Sequence, residues 1–274
     1  MGTNLSHVDP EPDGNLRDAE VGLEQLAPLS SRHSTLLIAS VFIIAMCGIV
    51  YELLVSTLSS YLLGSSVLHF SLTIGLFMFF MGVGSYLSKF ITSDVLSRFI
   101  QIEIVIGLVG GLSALILQAS FSLTEYYYLT MVGVIAIISA GVGLEIPLVT
   151  RMVRTSTTLK DALAHILAFD YLGALVASLA FPLLLLPYLG VVKTALIIGL
   201  LNLAVAAVNI RTFFPQLPRA GLLALGTGLA SLVLLAGLSY AFTLSSFLEK
   251  FVYQDPIIYT AQTPYQRIVV TKFE

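Results

Sequence analysis

The stretch TLLIASVFIIAMCGIVYELLVSTLSSYL, residues 35–62, decides the fold. Its only charged residue is Glu52. A helix of this length at ~1.5 Å per residue reaches about 40 Å, enough to cross a hydrocarbon core of ~30 Å. It lacks the period-2 alternation of a membrane β-strand. Six further apolar runs follow, at roughly 68–90, 99–122, 126–149, 163–188, 191–210 and 220–245. Each meets the ~20-residue requirement for a spanning helix. The runs predict an all-α integral membrane protein, a bundle of about seven transmembrane helices.

The breaks between runs are short: Gly64-Ser65-Ser66, Ser93-Asp94, Thr124-Glu125, Arg151 to Asp161, Pro187 to Gly190 and Pro215 to Arg219. The break at 151–162 is longer and is expected to form a short surface helix. Gly141, Gly143 and Pro147 suggest either a tight helix crossing or an unwound segment lining a cavity.

Composition agrees. Of 274 residues, 57% are hydrophobic and 11% charged, with a mean hydropathy of +0.95; a soluble domain carries about 25% charged residues. An ordinary soluble enzyme and a disordered chain are both excluded. Residues 1–33, with six acids and two bases, have no apolar period and read as a disordered polar tail. Residues 34–248 read as the membrane domain. The first apolar run starts too late and is too long for a cleavable signal peptide. A net charge of −3 argues against nucleic acid as a partner. The single cysteine, Cys47, excludes a disulfide framework and a multi-cysteine metal site; no metal site is expected.

Lysine and arginine set the orientation. One set of span ends carries Arg32, Lys89, Arg98, Arg151, Arg154, Lys160, Arg211 and Arg219; the other carries Lys193 alone. A cytoplasmic N-terminus follows. Seven spans then place residues from 249 onward on the opposite side.

Acids inside the spans are the candidate functional groups: Glu52, Glu103, Glu145 and Asp170. A carboxylate in hydrocarbon costs several kcal/mol unless paired, protonated or facing a wet cavity. Counted from the basic ends, Glu103, Glu145 and Asp170 are expected to share one layer, with Glu52 deeper. Such an arrangement suits a polycation, whereas structural acids or a proton-linked site remain alternatives. Tyr51 and Tyr171 each adjoin one of these acids and are candidates for an aromatic contact to an amine, or are simply interface anchors. Asp161 and His165, four positions apart, are expected to form an ion pair. No Walker loop, G-x-G-x-x-G, H-E-x-x-H or G-x-S-x-G is present, so no catalytic residue is expected in this chain.

After Phe251 the composition becomes that of a soluble protein, with two strand-like segments around 255–259 and 266–272. Residues 249–274 are therefore expected to be a β-hairpin opening a second domain that the chain does not complete. The stretch Tyr259 to Lys272, YTAQTPYQRIVVTK, resembles the opening hairpin of the polyamine aminopropyltransferases, the spermidine synthases. Residues 34–274 resemble the membrane-bound bacterial members. The likeness rests on Tyr51-Glu52-Leu53-Leu54, Leu63-Gly64-Ser65-Ser66, Met81-Gly82-Val83-Gly84-Ser85-Tyr86, Gly143-Leu144-Glu145-Ile146-Pro147, Asp170-Tyr171-Leu172-Gly173 and Leu186-Pro187-Tyr188-Leu189-Gly190.

The resemblance implies transfer of an aminopropyl group from decarboxylated S-adenosylmethionine to putrescine, giving spermidine, in the full-length protein. It also implies that Tyr265 and Gln266 lie at the substrate cleft. The nucleotide-binding and catalytic residues are not in this chain, which alone is expected to be inactive and to hold no cofactor. The expected partners are the lipid bilayer and the polyamines putrescine and spermidine; homo-oligomer formation stays open. Three roles follow for the membrane domain: polyamine binding or conduction through the acids, anchoring of the transferase, or proton-coupled transport of another small solute. One tension stands: the aminopropyl donor is cytosolic, yet the charge bias places the tail outside.

Overall fold

The computed structural model describes residues 31–153, 158–241, 243–244, 247, 257–262 and 267–272. Of the polar tail predicted for 1–33, residues 1–30 lie outside the described residues, as do Arg154, Tyr265 and Gln266, while Ser31, Arg32 and His33 begin the first helix instead of extending the tail. Among the described residues seven α-helices run in order: α1 Ser31–Leu63, α2 Ser66–Leu87, α3 Val95–Leu123, α4 Tyr127–Val153, α5 Leu159–Ala180, α6 Leu186–Thr212 and α7 Ala220–Ser239. A hairpin of β1 Ile257–Gln262 and β2 Arg267–Thr271 follows, antiparallel, with Gln262 opposite Arg267.

Among the described residues six helices are long and apolar enough to cross a membrane, because α5 and α6 form one helical path from Leu159 to Thr212. A straight helix of that length would reach about 80 Å. The path is instead folded. A single π turn, Phe181–Leu185, joins the two helices, and Gly190 has φ 71° and ψ 178°. Thr194 Oγ1 donates to the Leu185 carbonyl at 3.2 Å, a pair that would sit about 13 Å apart along a straight helix. The chain therefore doubles back at Gly190, leaving two arms, each long enough to span.

Helix α1 is the hub, with α2, α4, α5 and α6 packed around it; Leu37, Cys47, Tyr51 and Leu54 on it are almost fully buried. α3 packs chiefly on α6 and α4, and α7 lies outside α6 and α3. The α2–α4 crossing is the tightest. A methyl at Gly84 would overlap the Ala140 backbone, and one at Gly143 the Met81 backbone. Small residues here let two backbones touch.

That crossing corrects the reading of Gly141, Gly143 and Pro147 as an unwound segment. α4 is continuous through Pro147, and the glycines serve contact: Gly141 takes the Ile106 side chain, Gly143 the Met81 backbone. The expected surface helix at 151–162 is also absent among the described residues. α4 extends to Val153 and α5 starts at Leu159, so Arg151, Lys160 and Asp161 sit on helix ends. Asp161 does not form the expected pair with His165. Its Oδ2 accepts from Thr158 Oγ1 at 2.7 Å while its N–H donates to that oxygen at 3.2 Å, a reciprocal N-cap.

Each end of the bundle has its own ties. At one end, Arg151 donates to the Ile91 and Ser88 carbonyls at 2.8 and 3.0 Å, capping the chain that leaves α2. At the other, Ser59 Oγ and Tyr127 Oη lie 2.7 Å apart, and His69 Nδ1 sits 2.7 Å from the Gly64 carbonyl oxygen.

Candidate functional site

Helix geometry sorts the candidate residues. Cys47 and Tyr51 are four apart on α1 and share its inward face, both fully buried. Glu52 is turned by about 100° from Tyr51 and is only half-buried. Glu103 on α3 and Glu145 on α4 are buried, with 0% and 5% exposure. Asp170 on α5 is half-buried, and its neighbour Tyr171 points outward at 67% exposure.

The Glu103 and Glu145 carboxyls lie within hydrogen-bonding range of each other. Asn202, on α6, joins them. Its Nδ2 donates to the Glu103 backbone carbonyl at 2.9 Å, and its amide lies beside the Glu103 carboxyl. Cys47 and Tyr51 are within electrostatic reach of both acids. Asp170 is within reach of Glu145. Four helices, α1, α3, α4 and α6, thus converge on one polar centre, with α5 at its edge.

The centre is rich in acceptors. Both Glu103 oxygens, Glu145 Oε1, Asn202 Oδ1 and Tyr51 Oη are buried without a hydrogen-bond partner among the described residues. Carboxylates only accept. The approach of Glu103 to Glu145 becomes a hydrogen bond only when one of them carries a proton. Tyr51 Oη supplies a hydroxyl donor but makes no hydrogen bond here. Unsatisfied buried polar groups cost roughly 1–3 kcal/mol each, more when charged. A proton shared between the carboxyls would relieve one pair of this set, and an ammonium group, with three donors, would satisfy more of it. Among the described residues, no group of three His, Cys, Asp or Glu could hold a metal ion.

The expected layer of acids is thus assembled in part. Glu103 and Glu145 meet, and Asp170 stands nearby. Glu52 is not among their neighbours, because it occupies the next position round α1 from the face that carries Tyr51. Tyr171 is not part of the centre, since it turns outward while Asp170 turns in. Asn202 went unnoticed in the sequence. A carboxamide in the middle of the apolar run 191–210 was the available signal.

No family model matches the chain, and no solved structure matches it. Curated relatives do. The polyamine aminopropyltransferase of Leptospira interrogans is 40% identical over 240 residues, 88% of this chain and 48% of that protein. Polyamine aminopropyltransferase 2 of Ralstonia nicotianae is 40% identical over 251 residues, 89% and 49% of the two chains. Polyamine aminopropyltransferase 1 of Streptomyces coelicolor is 42% identical over 248 residues, 86% and 46%. The chain spans about half the length of the curated relatives it matches. Over nearly all of its own length, the chain is homologous to the polyamine aminopropyltransferases.

Proposed function

We propose that this chain is the membrane-embedded domain of a protein related to the polyamine aminopropyltransferases, and that Glu103 and Glu145 bind an amine of a polyamine. The observation that carries the reading is the convergence of both Glu103 oxygens, Glu145 Oε1, Asn202 Oδ1 and Tyr51 Oη, none of them hydrogen-bonded among the described residues. A primary ammonium brings three donors and one charge, and Asp170 near Glu145 offers a second carboxyl for the next amine of the same molecule. Homology to polyamine aminopropyltransferases supplies the ligand class.

Membrane embedding is part of the proposal. The six long apolar helices support it, as does the apolar outer face: Leu222, Leu225, Leu229 and Leu232 on α7 are all more than half exposed. With the fold at Gly190, the chain crosses seven times. The basic ends face the cytoplasm of a bacterial inner membrane. The complete protein transfers an aminopropyl group from decarboxylated S-adenosylmethionine to putrescine, and this domain holds that activity at the membrane. A second reading rests on the same pair: two facing carboxyls can share one proton, which suits proton-coupled movement of a small solute.

The test is calorimetric titration of spermidine and putrescine into the purified chain, with Glu145→Gln and Glu103→Gln beside it. Saturable binding abolished by both variants supports the polyamine site. No binding by a folded protein would refute it and leave a membrane anchor. Substrate-driven pH changes in proteoliposomes without polyamine binding would favour the proton-coupled reading.

A further inference from the structure

Two cavities meet at Arg98 and Gln101 on α3, at the basic end of the bundle. The larger, about 510 Å³, runs between α3 and α4; Phe90, Ile102, Val105, Ile106, Ile137 and Leu144 give it apolar walls. It opens sideways, because Val105 and Ile137 are each 48% exposed. The smaller, about 270 Å³, is the more polar of the two: Asp94, Ser97 and Arg219 line it with the two shared residues, beside Pro218 and Leu223. Arg98 Nη1 donates to Gln101 Oε1 at 3.1 Å, and its guanidinium is exposed.

The shape and chemistry are those of an amphiphile. From Arg98 to Ile106 the groove follows α3 for eight residues, about 12 Å. That approaches the depth of one leaflet, half of a ~30 Å hydrocarbon core. At its mouth two guanidinium groups, from α3 and from the turn before α7, border one pocket. Guanidinium groups favour phosphate oxygens through paired hydrogen bonds. Asp94 repels a bare anion but accepts from a hydroxyl, so it favours a headgroup that carries both a phosphate and free hydroxyls. Basic pockets between helices at a cytoplasmic surface are a known setting for anionic lipids.

We propose that this composite cavity binds one anionic glycerophospholipid, with an acyl chain in the α3–α4 groove and its phosphate between Arg98 and Arg219. The proposal rests on the membrane-embedded reading but not on the polyamine site. The groove shares α3 and α4 with the acid centre: Ile102 and Leu144 on its wall directly adjoin Glu103 and Glu145 in sequence. An occupied groove would therefore stiffen the two helices that hold the acid pair.

The experiment is native mass spectrometry of the full chain released from bilayer discs of phosphatidylcholine alone or mixed with phosphatidylglycerol. One phosphatidylglycerol per chain should survive detergent exchange, against none of phosphatidylcholine. Arg98→Gln and Arg219→Gln should each reduce retention about tenfold, and Val105→Trp, which fills the groove and leaves the charges, should reduce it as well. Circular dichroism confirms that the variants are folded. Equal retention of both lipids, retention unmoved by all three variants, or displacement of the lipid by inorganic phosphate at matched ionic strength would overturn the proposal. A chain that fails to enter the discs would refute the membrane reading itself, and that outcome is separately visible.

Discussion

Replacing Gly143 by alanine should part α2 from α4. The added methyl would lie 2.7 Å from the Met81 carbonyl carbon and 2.8 Å from its Cα, where ordinary contact begins at 3.4 Å. These are backbone atoms, so no side chain can swing aside; the helices must separate by roughly 1 Å. A radial gap of 0.5–1 Å forfeits about a quarter to a half of each dispersion contact across the crossing, and overpacking of this kind costs about 1–3 kcal/mol. Gly84→Ala meets the Ala140 backbone in the same way and should cost a similar amount. One separation relieves both clashes, so the double variant should be less destabilised than the two single losses combined, by about 0.5 kcal/mol or more. Gly75 and Gly82, on the same α2 helix, would place a methyl with nothing within 4 Å of it, so Gly82→Ala is the control and should be neutral. The assay is denaturant unfolding in mixed micelles for all four variants. A Gly143→Ala protein as stable as the parent, or strictly additive losses, would refute the backbone-contact reasoning.

Further outcomes are expected elsewhere. Gly190 has φ 71° and ψ 178°, a region almost confined to glycine, so Gly190→Ala should cost about 1–3 kcal/mol, read as a lower thermal midpoint. Arg151→Ala removes two charge-assisted bonds to the Ser88 and Ile91 carbonyls; hydrogen exchange should accelerate over 88–93, with a loss of about 1–3 kcal/mol. Tyr51→Phe deletes a buried hydroxyl that has no hydrogen-bond partner among the described residues, so stability should hold or rise slightly. If that hydroxyl contacts the bound amine, spermidine affinity measured by titration should fall about tenfold, close to 1.4 kcal/mol.

The apolar runs and their breaks were legible because a membrane-length helix is written in consecutive residues. The hairpin strands were legible for the same local reason. The acid centre was only half legible. Sequence marks Glu103 and Glu145 as expensive, yet their meeting depends on how α3 and α4 cross. Glu52 shows the limit: the sequence sets it among the candidate acids, deeper than the other three, and a 100° step round α1 from Tyr51 takes it off the face that meets Glu103 and Glu145. Pro147 misled in the opposite direction. Proline beside glycines suggests a break, but packing against α2 and α3 keeps α4 helical through it. The fold at Gly190 falls within the break that the sequence places at Pro187 to Gly190, and Thr194 reaching Leu185 is the contact that closes it.

The acid centre also imposes an order in time. Glu103 is synthesised 42 residues before Glu145 and 99 before Asn202. At roughly 5–20 residues per second, α3 exists for about 2–8 s before its facing carboxyl is made and several seconds more before its carboxamide. During that interval Glu103 has neither neighbour. In a membrane-embedded chain, as proposed, helices α3 to α6 must therefore be held together, or α3 kept near the aqueous boundary, until the last of them arrives, so a ribosome pause between residues 103 and 202 would fall at the most vulnerable point of assembly.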